Sequence, residues 1–233
     1  MRGGRLPALL LCLGAGCHAP EQAVDPAHFE EFFVWPGVTP EQTPRRARVL
    51  YLLDGEVRHR DPSRLIRLRQ PPHIADAAVW LTVRVERLDW DEAVHMQVLE
   101  DVRSWEAAGT RLKGVQIDFD AATRGLGDYA RFLADLRRRL PQRYRLSVTG
   151  LLDWSANGDP GQWAQLVGIV DEVVVQTYQG RRTIPGYERY LWAIERVPLP
   201  YKIALVEGGD WREPASLRRD PDFRGYVIFL LRR

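Results

Sequence analysis

Eight short apolar runs recur along this chain, and their alternation with helix-period segments limits its fold more than any other feature. The runs are 31–35, 48–53, 77–85, 114–120, 144–149, 172–178, 202–206 and 225–230. After the third, Asp91 is placed to cap a helix in which Val94, Val98, Val102 and Trp105 step by three and four, and Gly109 supplies the stop. After the fourth, Leu126, Tyr129, Leu133, Leu136 and Leu140 step in the same way up to Pro141. Segments 161–169 and 187–196 read as further helices. Strands that are apolar throughout and separated by helices form parallel sheets with crossover connections. Eight of them in one domain favour closure, so the expected class is α/β, a (β/α)8 TIM-type barrel. The barrel is compact, with an incomplete outer helix ring: only 39–47 lie between the first two runs, and nothing helical follows the last. Asp54-Gly55 reads as a tight turn that folds 56–58 back, and 65–68 reads as an added strand.

The first residues call for a different reading. Arg2 and Arg5 precede the short apolar run 6–13 and the small residues Gly14-Ala15-Gly16, the pattern of a secretory signal peptide over 1–16. Cys17 follows directly, in a setting that resembles the lipobox of bacterial lipoproteins, although Leu13 stands one place further upstream than usual. The expectation is an exported protein, periplasmic or held to the membrane surface of the cell envelope through a lipidated Cys17. Residues 17–28 would form a tether and 29–233 a single barrel domain. Without residues 1–16 the formal charge of +2 falls to zero, since two arginines and no acids are lost. That balance gives no electrostatic case for nucleic acid. No cysteine follows Cys17, so the barrel has no internal disulfide. His28, His59, His73 and His95 lack ligand spacing, and no phosphate loop or Gly-x-Ser-x-Gly elbow occurs, so neither metal nor cofactor is expected.

Within 114–120, side chains two apart share one side of a strand. Gln116, Asp118 and Asp120 therefore face one compartment, and Val115, Ile117 and Phe119 the other. The two acids would lie roughly 6.5–7 Å apart at Cα from the rise of a strand. Carboxylates at the end of a buried strand are costly unless hydrogen-bonded, solvated or used. In barrels of this kind the chemistry occupies the C-terminal strand ends. Those ends here bring Trp35, Asp54 or Glu56, Arg84, Asp118 with Asp120, Asp153 with Trp154, Gln176 with Tyr178, Glu207 and Phe229. Acids, amides and aromatics at one mouth suit a polysaccharide or oligosaccharide partner. Each residue singly has an ordinary structural explanation; their coincidence at one end is the signal.

The segments 116–120, 146–149, 175–178 and 225–229 resemble successive barrel strands of the chitinase-like family 18 glycoside hydrolases, and 51–57 is similar to that group's second strand. More closely, residues 29–231 resemble the bacterial family of unknown function numbered 3142. The resemblance implies a glycoside-hydrolase-like barrel acting on a cell-envelope or extracellular polysaccharide. It puts Asp118 and Asp120 in the paired-acid motif, the second orienting an acetamido group that itself attacks the anomeric carbon, and makes Tyr178 the tyrosine that binds that group's oxygen. Gln176, Arg84, Trp35 and Trp154 would then contact substrate. Ala122 stands where the motif has its general-acid glutamate, Val115 where it has a leading aspartate, and Phe229 replaces a tryptophan. General acid catalysis typically supplies about 10²–10⁴-fold, so Glu207 or Asp153 must serve as the acid, or hydrolysis is lost. The alternative function is a catalytically inactive carbohydrate-binding or scaffold lipoprotein.

Overall fold

The computed structural model describes residues 22–119, 125–152, 164–194 and 199–232. Eight strands form the barrel: β1 (Glu31–Val34), β2 (Val49–Arg58), β3 (Ala78–Val85), β4 (Leu112–Phe119), β5 (Arg145–Leu151), β6 (Glu172–Gln176), β7 (Tyr201–Val206) and β8 (Phe223–Phe229). Each is hydrogen-bonded in parallel to the next, and β8 pairs with β1 through Ile228↔Phe32 and Phe229↔Phe33, closing the ring. The fold is thus the expected closed eight-stranded parallel barrel. Its outer layer holds three described helices, α1 (Glu92–Ala107), α2 (Leu126–Arg139) and α3 (Glu188–Ile194). Asp91 caps α1 by accepting the Val94 N–H at 3.1 Å. The predicted stripe Val94, Val98, Val102 and Trp105 is buried, as are Leu126, Tyr129, Leu133 and Leu136 of α2. Of the expected helix at 161–169, Ala164 is helical and 165–169 form turns and an isolated bridge, while 161–163 lie outside the described residues.

Two further departures have a common cause in register. Asp54-Gly55 is not a turn: β2 runs on to Arg58, and the return strand Asp61–Arg67 pairs antiparallel with it. A register shift between Leu53 and Gly55 absorbs one residue there. Such a bulge re-aims the side chain beside it. Asp54 is consequently buried beside Asp101 of α1 rather than placed at the barrel mouth. Glu56 pairs with its neighbour Arg58 at 2.7 Å. The expected tether is also partly inside the fold. Gln22–Ala23 pair with Asp210–Trp211, and Val24 exchanges backbone hydrogen bonds of 2.8 Å with Gly208 and Gly209.

The barrel's lower interior is polar. A second register shift matches Val79 to Leu112 but Trp80 to Gly114, which leaves Lys113 unmatched. Its ammonium lies 5.0 Å from the centre of the Trp80 ring and 4.0 Å from Glu172. Lys202 reaches Glu31 at 2.5 Å, Glu172 at 3.5 Å and the Tyr51 hydroxyl at 3.1 Å, while that hydroxyl donates to Glu172 at 2.6 Å. From Glu172 a hydrogen-bonded seam of Ser147, Gln116 and Thr82 climbs the wall in steps of 3.2 Å. Phe33, Trp80, Val174, Ala204 and Val227 pack beside and above it.

Gly114 is what lets β4 and β5 close over this floor. A β-carbon there would stand 2.0 Å from the Arg145 carbonyl oxygen and 2.7 Å from two more backbone atoms of that residue. Backbone paired within a closed barrel cannot step aside. Gly114→Ala is expected to cost about 3 kcal/mol, the upper end of overpacking effects, seen as a lowered urea midpoint with an unchanged slope.

Candidate functional site

Alternation along each strand decides what reaches the mouth. On β4, Gly114, Gln116 and Asp118 face inward; on β3 their register partners are Trp80, Thr82 and Arg84. On β5 the inward set is Ser147 and Thr149, and on β6 it is Glu172, Val174 and Gln176. Tyr178 stays in that phase after a break at Thr177. The last inward residues surround a cavity of about 280 Å³, whose walls include Phe33, Trp35, Arg84, Asp118, Thr149, Gln176, Tyr178 and Phe229. Five expected site residues are therefore brought together: Trp35, Arg84, Asp118, Gln176 and Tyr178.

The aromatic wall is continuous. Trp35 meets Phe229 edge-on with ring centres 5.8 Å apart, and Phe229 lies 5.3 Å from Tyr178. The Arg84 guanidinium sits 5.3 Å from the centre of the Trp35 ring, within cation–π range. On the opposite side, Asp118 accepts a 2.8 Å hydrogen bond from the Thr149 hydroxyl. Gln176 is steadied by donating to the Tyr178 carbonyl at 3.0 Å. Burial, reinforced by the Asp118 charge, pushes the Tyr178 phenol well above the usual tyrosine range. Tyr178 thus remains a neutral O–H at physiological pH. The wall offers an acceptor at Asp118, a cation at Arg84 and the apolar ring faces of Trp35, Phe229 and Tyr178.

Glu207 is not brought to this cavity. Lys202, Ala204 and Val206 are the inward residues of β7, so Glu207 continues the outward phase. It lines a separate hollow with Pro26, Val38 and Leu230 and accepts the Leu231 N–H at 2.9 Å. Asp120, Asp153, Trp154, Ala122 and Cys17 lie outside the described residues. The wall residues Thr149 and Phe33 were not among the expected ones. Both are signalled by parity alone, each standing in the inward phase near the end of its strand.

The model of DUF3142, a domain of unknown function, matches residues 72–186. That span takes in β3 to β6 and with them Arg84, Asp118, Thr149, Gln176 and Tyr178 of the cavity wall. Among solved structures, the chitinase domain of the spore coat protein CotE from Clostridium difficile has the same fold. It matches with a TM-score of 0.53 at 11% identity, over 85% of this chain and 68% of that one. The spore cortex-lytic enzyme SleL of Bacillus cereus matches with a TM-score of 0.49 at 19% identity, over 76% of this chain. The chain spans half the length of SleL. No curated protein sequence matches.

Proposed function

We propose that the protein engages a polysaccharide at this cavity, as an exported glycoside-hydrolase-like barrel of the cell envelope. The observation that carries the reading is the convergence of aromatic faces with a carboxylate, an amide and a phenol at the C-terminal strand ends. Ring faces bind the apolar face of a sugar, and the polar groups bind its hydroxyls. A volume of about 280 Å³ is just below the roughly 300–1,000 Å³ of small-molecule sites, which suits one sugar unit better than a long stretch of chain. The basic start, apolar run and Cys17 support export and a lipid anchor.

Hydrolysis by the common route requires two carboxyls flanking the bond, one of them to protonate the leaving oxygen. Asp118 is the one carboxylate of the cavity wall among the described residues. In the hydrolytic reading, Asp120 or Asp153 completes the pair, and Asp118 stabilises positive charge developing at the anomeric carbon. A second reading, glycan binding without turnover, is favoured by Ala122 at the place of the motif's acid.

Calorimetric titration against a panel of amino-sugar and neutral oligosaccharides, with a parallel assay for reducing ends, tests both. Tyr178→Phe should weaken binding about 2- to 10-fold, the worth of one neutral hydrogen bond of about 0.5–1.5 kcal/mol. Reducing-end release that Asp118→Asn lowers by about 100-fold or more marks an enzyme. Binding with no release marks the second reading. A folded protein that binds none of the panel overturns both.

A further inference from the structure

Arg84 and Asp118 are direct register partners on the inward faces of neighbouring strands, which lie about 4.8 Å apart. Opposite charges so placed ordinarily pair. Here they do not: among the described residues, no carboxylate stands within the 4.0 Å ion-pair limit of the Arg84 guanidinium. Arg84 instead reaches past β2 to lie over Trp35, which follows β1. Asp118 is drawn the other way, to Thr149 of β5. The cavity wall is left with the Arg84 guanidinium facing the Trp35 ring and no carboxylate partner for it among the described residues.

We infer that the polysaccharide is an acidic one, and that Arg84 selects it by receiving a carboxylate borne on the sugar ring or on an ether substituent of the ring. This rests on the glycan reading above and names its substrate class. A guanidinium presents a planar fork of N–H donors that matches a carboxylate two to two. Stacking on Trp35 restrains that plane before ligand arrives, so less side-chain freedom is lost on binding. Asp118, which accepts from the Thr149 hydroxyl, offers acceptor oxygens to sugar hydroxyls, so the carboxylate of an acidic sugar is left to Arg84. A neutral sugar makes the Asp118 and Tyr178 contacts but leaves the guanidinium to water.

The test is calorimetry on the full protein with two matched pairs of oligosaccharides. One pair is a uronic acid oligomer and its methyl ester; the other is an amino-sugar oligomer bearing a lactyl ether and its carboxamide. Wild type should bind the acidic member of at least one pair about 10- to 100-fold more tightly than its neutral counterpart, as expected for a charge-assisted hydrogen-bonded pair. The pair that shows the preference tells whether the acid is on the ring or on the ether. Raising sodium chloride from about 0.05 to 0.5 M should erode that preference, since exposed charges are screened. Arg84→Gln should abolish the preference, and Arg84→Lys should restore part of it. Equal binding of acid and neutral members by wild type overturns the inference and leaves the glycan reading standing. Binding of no member of either pair overturns the glycan reading itself. Should Arg84→Gln fail to fold, the wild-type ratio and its salt dependence still decide.

Discussion

Lys202→Met should destabilise the barrel by about 3–5 kcal/mol at neutral pH, the usual cost of removing one partner from a buried ion pair. For a protein of this size that is a fall of roughly 6–20 °C in the melting temperature. Lys202 stands 2.5 Å from Glu31 and 3.5 Å from Glu172, and its side chain is almost fully buried. Without it the remaining cation of the floor is Lys113, 4.0 Å from Glu172, whose own ammonium is already disfavoured by burial. The Glu31 carboxyl is pushed upward by burial and held back by Lys202, so losing Lys202 lets it rise further. The sign follows. A carboxyl raised in the folded state stabilises below its unfolded value, and that stability is lost as pH rises through the folded value. The damage in the variant should therefore be smaller at pH 5 than at pH 8. Glu31→Gln and Glu172→Gln added to Lys202→Met should recover most of the loss, because an uncharged floor has no unpaired ion to bury. Thermal melts of the single and triple variants at both pH values check this. A loss below about 1 kcal/mol for the single variant would mean that the floor is hydrated and its charges are cheap to unpair.

Asp54→Asn should make the protein more stable, increasingly so as pH rises from about 4 to about 8. Burial, then the charge of Asp101 and the hydrogen bond between them, pushes the Asp54 carboxyl up to about 8 against the pull of Arg67 and Arg69. Asp101 takes both of its short contacts from Arg67 Nε, at 2.8 and 2.9 Å. Asp54 Oδ2 has no partner among the described residues. The pair thus holds a proton that the unfolded chain releases near pH 4. Stability from this site is complete below that value and declines up to the folded value near 8. Asparagine imitates the protonated acid without titrating. Its advantage should reach on the order of 2–5 kcal/mol above pH 8, from about 1.4 kcal/mol per unit of displacement. Urea midpoints of both proteins at pH 5 and pH 8.5 give the comparison. The same gain at both values would refute a titrating Asp54.

The strands and the two long helices were legible because each rests on a local period. Val94 to Trp105 and Leu126 to Leu136 could be placed on a buried face from spacing alone, and both stripes are buried. Asp118 and Gln116 were legible for the same reason. Glu207 shows where position was used in place of parity. It stands just past the end of β7, as an acid of the mouth should, yet the inward Lys202, Ala204 and Val206 put it in the outward phase. What no local rule supplies is cross-strand register. The shifts at Leu53/Gly55 and Val79/Trp80 depend on which residues of a neighbour are opposite, and they move Asp54 to α1 and Lys113 to the floor. The charged floor stayed hidden because Glu31, Glu172 and Lys202 each open a strand, where a polar residue looks like a solvated end.

Strands that are apolar on both faces hardly distinguish one alignment from another two residues away, since such a slip keeps every inward side chain inward. The floor removes that ambiguity. Glu31 of β1, Tyr51 of β2, Lys113 of β4, Glu172 of β6 and Lys202 of β7 converge on one set of contacts. Sliding β1, β4, β6 or β7 by a pair of residues would leave an ion among apolar neighbours, at a cost of several kcal/mol. The stagger of the barrel is thereby set at its base, and the stagger determines which side chain each strand presents at its far end. The separation of Arg84 from Asp118 at the mouth is fixed, in this sense, by charges at the opposite end of the molecule that never touch a ligand.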